Sequence, residues 1–187
     1  MKHSNLILNQ FKKSHISTLE VKSEALRKNP WKDPYLRFNP VLSPKKENLK
    51  DLPVVFILAG FSGNGPKYFA PKSFEENAVE VLGKAIDMGE APVAVYVFVD
   101  AMTKWGGSQF IDSEGMGNYQ TYIAKELTKE VKKAFPVTRE PSRWCICGGS
   151  SGGYGALHLA SLYPETFGRV GTIAPDCFFE LSLLPEV

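Results

Sequence analysis

The sequence is poor in cysteine and histidine, with three of each in 187 residues. Cys145, Cys147 and Cys177 cannot all pair. The Cys145-Ile146-Cys147 spacing lacks the C-x-x-C geometry of a zinc or thiol-redox site, so buried free thiols are expected, with no metal and no cofactor. Charge of one sign is also scarce, the formal net charge being +2. That gives no electrostatic case for nucleic acid or an anionic membrane, whose binding needs a concentrated basic surface. The lysines and arginines of the first fifty residues are scattered among turn residues and read as solvated. No apolar run approaches the roughly 20 residues of a membrane span, and Met1 to Gln10 lacks the apolar core of a signal peptide. A cytoplasmic, soluble protein is therefore expected. With no internal repeat or low-complexity tract, residues 1–187 are expected to form a single domain.

What the chain does have is one dense stretch, Trp144 to Leu157, where an apolar run meets glycines, a serine pair and a helical pattern. It reads as strand, sharp turn, helix. Gly149, Ser151 and Gly153 fit the G-x-S-x-G nucleophile elbow, in which a serine sits on a strained turn and flanking glycines let neighbouring backbone approach. Ser151 is accordingly the candidate nucleophile. Two other readings compete. A glycine-serine turn can bind an anion without covalent chemistry. Gly149, Gly153 and Gly155 also match the G-x-x-x-G-x-G turn of short-chain dehydrogenases, with Asp176 at the end of the next strand as a ribose-binding acid. Against a nucleotide-binding domain, that turn normally follows the first strand of its domain, and here about 140 residues come first.

Taken in order, Ser14 to Ser23 and Tyr35 to Phe38 read as an antiparallel strand pair, the second stopped by Asn39-Pro40, with a charged loop over Ser43 to Asp51. Pro53 to Ala59 is a buried strand ending in the glycine-rich loop Gly60-Phe61-Ser62-Gly63-Asn64-Gly65. Ser73-Phe74-Glu75-Glu76 reads as a capping box opening a helix with Val79, Leu82, Ala85 and Ile86 on one face and Gly89 at its end. Pro92 to Val99 is another buried strand. The long segment Ala101 to Asn118 is expected to wall the substrate pocket. Tyr119, Ile123, Leu127 and Val131 mark a helix, and Arg169 to Ala174 a last strand. This alternation predicts an α/β fold with a mostly parallel sheet and helices on both faces. His158, about 10 Å along the helix axis from Ser151, is badly placed to be its base. His15, far from the elbow, has no local acid.

With these residues in hand, the chain resembles the esterase D family of α/β hydrolases, which includes S-formylglutathione hydrolases, enterochelin esterases, feruloyl esterases and mycolyltransferases. The resemblance runs from about Ser14 to Asp176. It rests on Gly149-Ser150-Ser151-Gly152-Gly153-Tyr154-Gly155-Ala156-Leu157, on Leu58-Ala59-Gly60-Phe61, and on Gly107-Ser108-Gln109-Phe110-Ile111-Asp112-Ser113. It implies an α/β-hydrolase fold, a serine esterase acting on small-molecule esters or thioesters through an acyl-enzyme on Ser151, and an oxyanion hole of the Phe61 and Gly152 backbone amides. Trp105, Gln109 and Tyr154 are the expected pocket residues. Many relatives have histidine where Ala59 stands. In the family the triad acid and histidine follow the nucleophile on later loops, whereas here no histidine follows His158. The resemblance therefore implies that the C-terminal strands are missing and that the triad is completed elsewhere. Self-association through the strand Arg169 to Ala174, or a complementing C-terminal segment, is expected. Asp176 is a weaker candidate for the acid. The alternative is a catalytically inactive remnant that binds a ligand or partner through the same pocket.

Overall fold

The computed structural model describes residues 11–45 and 49–179. Six strands form one sheet in the order β1-β2-β4-β3-β9-β10: β1 (Ser14–Lys22), β2 (Leu36–Pro44), β3 (Val54–Leu58), β4 (Val95–Phe98), β9 (Trp144–Ser150) and β10 (Arg169–Pro175). The four strands from β3 onward run parallel, and β2 joins β4 antiparallel. Two short antiparallel pairs, β5 (Met102–Thr103) with β6 (Gly106–Gly107) and β7 (Asp112–Ser113) with β8 (Gly117–Asn118), give structure to the long segment that the sequence left as a loop.

Both faces of the sheet are covered, as the near-continuous apolar runs of β3 and β4 require. On one side α1 (Ala78–Met88) packs Val79 and Ile86 against Leu42, Tyr96 and Phe98. On the other, α2 (Tyr119–Thr121), a π-helical segment (Tyr122–Leu127), α3 (Thr128–Ala134) and α4 (Ser151–Leu162) pack against Val54, Phe56, Val95, Val97 and Ile146. The π segment is a local consequence of what must be buried there. Tyr119, Tyr122, Ile123 and Leu127 are all fully buried, and the Thr128 hydroxyl donates to the Ile123 carbonyl five residues back, at 3.1 Å.

Three local expectations are corrected. Asn39-Pro40 does not stop β2, because β2 pairs with β4 only at Val41 and Leu42 and so has a single partner, β1, at Pro40; a missing N–H is tolerated there. The charged loop expected from Ser43 thus begins after Pro44, and residues 46–48 of it lie outside the described residues. Helix α1 opens one turn later than Ser73-Glu76 suggests. Its capping box is Asn77 with Glu80, each side chain bonded to the other's backbone N–H at 2.8–2.9 Å. The thiols, finally, are less enclosed than expected: Cys145 and Cys147 are half-buried, and Cys177 is exposed. Cys145 and Cys147 do share a face. A hydrogen bond with Cys147 pulls the Cys145 thiol down to about 7, while the same bond and burial push Cys147 up.

Beneath the β4–β5 junction lies a buried polar network. Arg37 donates to the Met102 carbonyl and the Tyr119 hydroxyl, both at 2.8 Å, and stands 3.6 Å from Asp100. Tyr119 in turn donates to Asp33, and Asp33 accepts from the Lys104 amide. Burial raises the Asp100 pKa against the opposing pull of Arg37. Removing one partner of a buried pair strands the other charge, at a cost of about 3–5 kcal/mol. Arg37→Met is therefore expected to lower stability by that amount in urea unfolding at neutral pH. The deficit should shrink as pH falls through the raised folded-state pKa of Asp100, where the stranded acid takes up a proton more readily than the unfolded chain does. A loss below about 1 kcal/mol, or one independent of pH, would contradict this account of the network.

Candidate active site

The site forms where the carboxyl ends of β3 and β9 meet. Their parallel register ends by pairing Leu58 with Gly148, after which β3 stops while β9 stays paired with β10 through Ser150. At that point the backbones are too close for side chains. A Cβ on Gly148 would lie 2.5 Å from the Gly152 carbonyl carbon and 2.7 Å from the Leu58 carbonyl oxygen, and a Cβ on Gly152 would lie 2.4 Å from Leu58 O and 2.7 Å from Ala59 O. Gly149 is different: its Cβ would meet only Ile173 O at 3.5 Å, an ordinary contact. Gly153 is intermediate, at 3.1 Å from Pro175.

The two glycines under backbone constraint therefore flank Ser150, not Ser151. Ser150 has φ 54° and ψ −128°, a conformation that costs a non-glycine residue roughly 1–3 kcal/mol. Its hydroxyl makes no cap bond to α4. It lines an open cavity of about 470 Å³ together with Ala59, residues 60–64, Lys67 and Tyr68. Ser151 is 1% exposed and does not line that cavity; its hydroxyl lies 3.4 Å from Gln109 Nε2 and donates to Asp176 Oδ2 at 3.1 Å. The exposed hydroxyl is expected from the sequence on Ser151, with Gly149 and Gly153 as its flanks; the cavity-lining serine is Ser150, and the crowded glycines are Gly148 and Gly152. A stretch reading Gly-Gly-Ser-Ser-Gly-Gly fits the motif in two registers, and only the backbone contacts distinguish them.

The loop after β3 faces Ser150 directly, since a Cβ on Gly60 would stand 3.7 Å from the Ser150 Cβ. The Phe61 amide makes no backbone hydrogen bond among the described residues, and the Ser151 amide, first in α4, has no acceptor within the helix. Both are available to a ligand. The Phe61 ring is half exposed and lies over Gly106 and Gly107, where a Cβ would meet it at 2.8 and 3.4 Å.

Of the three expected pocket residues, none lines this cavity. Gln109 lies beneath the elbow against Ser151, held by left-handed backbone at Gln109 and Phe110 and by the packing of Phe110 on Gly155. Trp105 is exposed and meets Trp31 edge-on at 5.4 Å. Tyr154 stacks on His158 and contacts Phe179. The wall missed in the sequence is the short 3-10 helix Gly65–Phe69, signalled there by Asn64 as N-cap followed by Pro66.

A β-bulge between Ile173 and Pro175, with φ 44° at Ala174, swings Asp176 over the elbow. Its carboxylate accepts from Ser150 Oγ at 2.9 Å as well as from Ser151. No histidine among the described residues contacts Ser150. His158 pairs with Gln120 Oε1 at 2.9 Å, its pKa lowered by burial, and His15 pairs with Ser43. No cluster of metal-ligating side chains occurs among the described residues, and no described helix is long and apolar enough to cross a membrane.

Comparison with known proteins gives the family and the fold. Residues 37–180 match the family model Esterase, described as Putative esterase. The chain belongs to this esterase family. It is 28% identical over 151 residues to S-formylglutathione hydrolase of Bos taurus, covering 76% of this chain and 52% of that protein. It is 30% identical over 84 residues to the iron(III) enterobactin esterase of Dickeya dadantii, covering 45% and 19% respectively. Among solved structures, a ferulic acid esterase superposes with a TM-score of 0.66 at 23% identity, covering 84% of this chain and 57% of that one. An S-formylglutathione hydrolase from Agrobacterium tumefaciens gives 0.65 at 21%, covering 89% and 60%. The fold is that of the α/β hydrolases, and the chain spans about half the length of the S-formylglutathione hydrolase it matches.

The steric argument yields a direct check on the register of the elbow. Gly152→Ala forces a methyl group into two carbonyl oxygens and is expected to cost at least about 1–3 kcal/mol, whereas Gly149→Ala should stay within about 0.5 kcal/mol of the parent. Thermal unfolding of the two variants measures the difference. Equal destabilisation, or a larger loss at Gly149, would return the elbow to Ser151.

Proposed function

We propose that this chain carries the nucleophile and oxyanion hole of a serine esterase acting on carboxylic esters or thioesters, with Ser150 as the nucleophile. The observation that carries the proposal is the backbone of Ser150. A serine held at positive φ between two glycines that admit no side chain, its hydroxyl free of the helix and open to a cavity, is what nucleophilic attack on a carbonyl requires. Family membership supports ester chemistry, and the S-formylglutathione hydrolase relatives support thioesters within the range.

In this reading Ser150 Oγ attacks the substrate carbonyl carbon, and the carbonyl oxygen gains negative charge. The amides of Phe61 and Ser151 donate to that oxygen, with the N-terminal end of α4 adding its positive dipole. The second donor thus moves from Gly152 to Ser151, the residue after the nucleophile. A histidine from outside the described residues takes the Ser150 proton and returns it to the leaving alcohol or thiol, and a carboxylate orients it. Water, or another hydroxyl, then resolves the acyl-enzyme. In the resting site the Ser150 hydroxyl donates a hydrogen bond to Asp176, and that bond must break when the histidine engages.

In protein carrying its full catalytic set, Ser150→Ala is expected to abolish fluorophosphonate labelling and turnover of a short-chain nitrophenyl ester. Ser151→Ala should keep labelling, because its hydroxyl is buried while its amide remains. Labelling that survives Ser150→Ala and vanishes in Ser151→Ala would overturn the assignment.

A further inference from the structure

The wall of the cavity opposite the elbow carries a charge that the chemistry above does not use. Among the described residues Lys67 is the single ionised side chain lining the cavity it shares with Ser150; the Asp176 carboxylate, bonded to Ser150 Oγ, is not among the lining residues. Lys67 is exposed and forms no ion pair among the described residues; its ammonium donates to the Ser62 carbonyl at 3.1 Å. Its backbone is fixed. The Lys67 amide donates to the Asn64 side chain at 3.0 Å, and Gly65 donates to the Val99 carbonyl at 2.9 Å so close to β4 that a Cβ would fall 2.1 Å from Phe98 O. Tyr68 and Phe69 pack on Phe98 at 5.5 and 4.9 Å. A cation held on a rigid base, bonded to a neutral carbonyl that a stronger acceptor displaces, is built to receive an anion.

We infer that Lys67 makes this a site for anionic substrates: esters or thioesters bearing a free carboxylate a few bonds from the scissile carbonyl. The inference rests on the assignment of Ser150 for the position of that carbonyl. The carboxylate belongs either to the acyl group, as in a dicarboxylic half-ester, or to the leaving group, as in the ester of a hydroxy acid. In both cases Lys67 exchanges the Ser62 carbonyl for a charge-assisted bond and fixes the substrate's orientation over the elbow.

The test is a binding titration in the Ser150→Ala background, where no turnover interferes, followed by the amide NMR shifts of Phe61, Asn64 and Lys67. Monomethyl glutarate supplies the acyl-side carboxylate, 3-acetoxypropanoate the leaving-group side, and dimethyl glutarate the neutral control. At least one half-ester should bind about fivefold tighter than the diester at low salt. That preference should disappear in Lys67→Met, persist in Lys67→Arg, and weaken as salt is added. The arm that binds tighter identifies which side carries the charge. Equal affinity for charged and neutral esters, a preference that survives Lys67→Met, or no shift with any of the three overturns the inference. A fluorophosphonate adduct on a residue other than Ser150 would instead sink the nucleophile assignment, and the titration reads independently of it.

Discussion

The structure depends on one close approach: the carboxyl end of β3 against the turn between β9 and α4. Leu58 and Ala59 present their carbonyl oxygens where Gly152 and Gly148 have only hydrogens, and any Cβ there would overlap them. Because the chain must pass from strand to helix within that space, the intervening residue takes the positive φ that Ser150 shows. The cost of that conformation, about 1–3 kcal/mol, is a sizeable part of the roughly 5–15 kcal/mol by which domains are stable. It is borne by the apolar layer on the α4 side of the sheet, where Phe56, Ile146, Trp144 and Leu159 fix β3, β9 and α4 in place.

From that contact the rest of the site follows. The same approach sets Gly60 beside Ser150 and brings the Phe61 amide to the cavity mouth, while Ser151 turns inward to Gln109 and Asp176. The second wall is independent: the 3-10 helix at Gly65–Phe69 is tied to β4 through Val99 and Phe98. One wall thus supplies the strained serine and the other a fixed cation. The bulge at Ala174 adds a carboxylate over the elbow, which holds both serine hydroxyls in the resting state.

The sheet was legible in the sequence because its cues are local and redundant. Apolar runs at β3 and β4 demanded cover on both faces, and the alternation from Pro53 onward required parallel crossovers. The resemblance pointed to the esterase family and the α/β-hydrolase fold, both of which the comparisons show. What escaped were features decided by tertiary contact. Pro40 looked like a strand stop until the single-sided pairing of β2 at that point was known. Asn77 displaced Ser73 as the cap of α1 because both sequences satisfy the pattern, and packing of Val79 and Ile86 selects the later start. The proposed serine register turns on the same kind of contact: glycines stand at the motif positions around both serines, and the deciding quantity is the distance from a glycine to a carbonyl on another strand. The histidine of the proposed triad has no counterpart beside Ser150 among the described residues, in a chain spanning about half of its S-formylglutathione hydrolase relatives.

The most direct measurement is a crystal structure of the phosphonylated protein, prepared with its full catalytic set and a small fluorophosphonate. The account predicts phosphorus bonded to Ser150 Oγ, with the phosphoryl oxygen about 2.7–3.1 Å from the amide nitrogens of both Phe61 and Ser151. Phosphorus on Ser151, or on Ser150 with its oxygen turned away from those two amides, would contradict it.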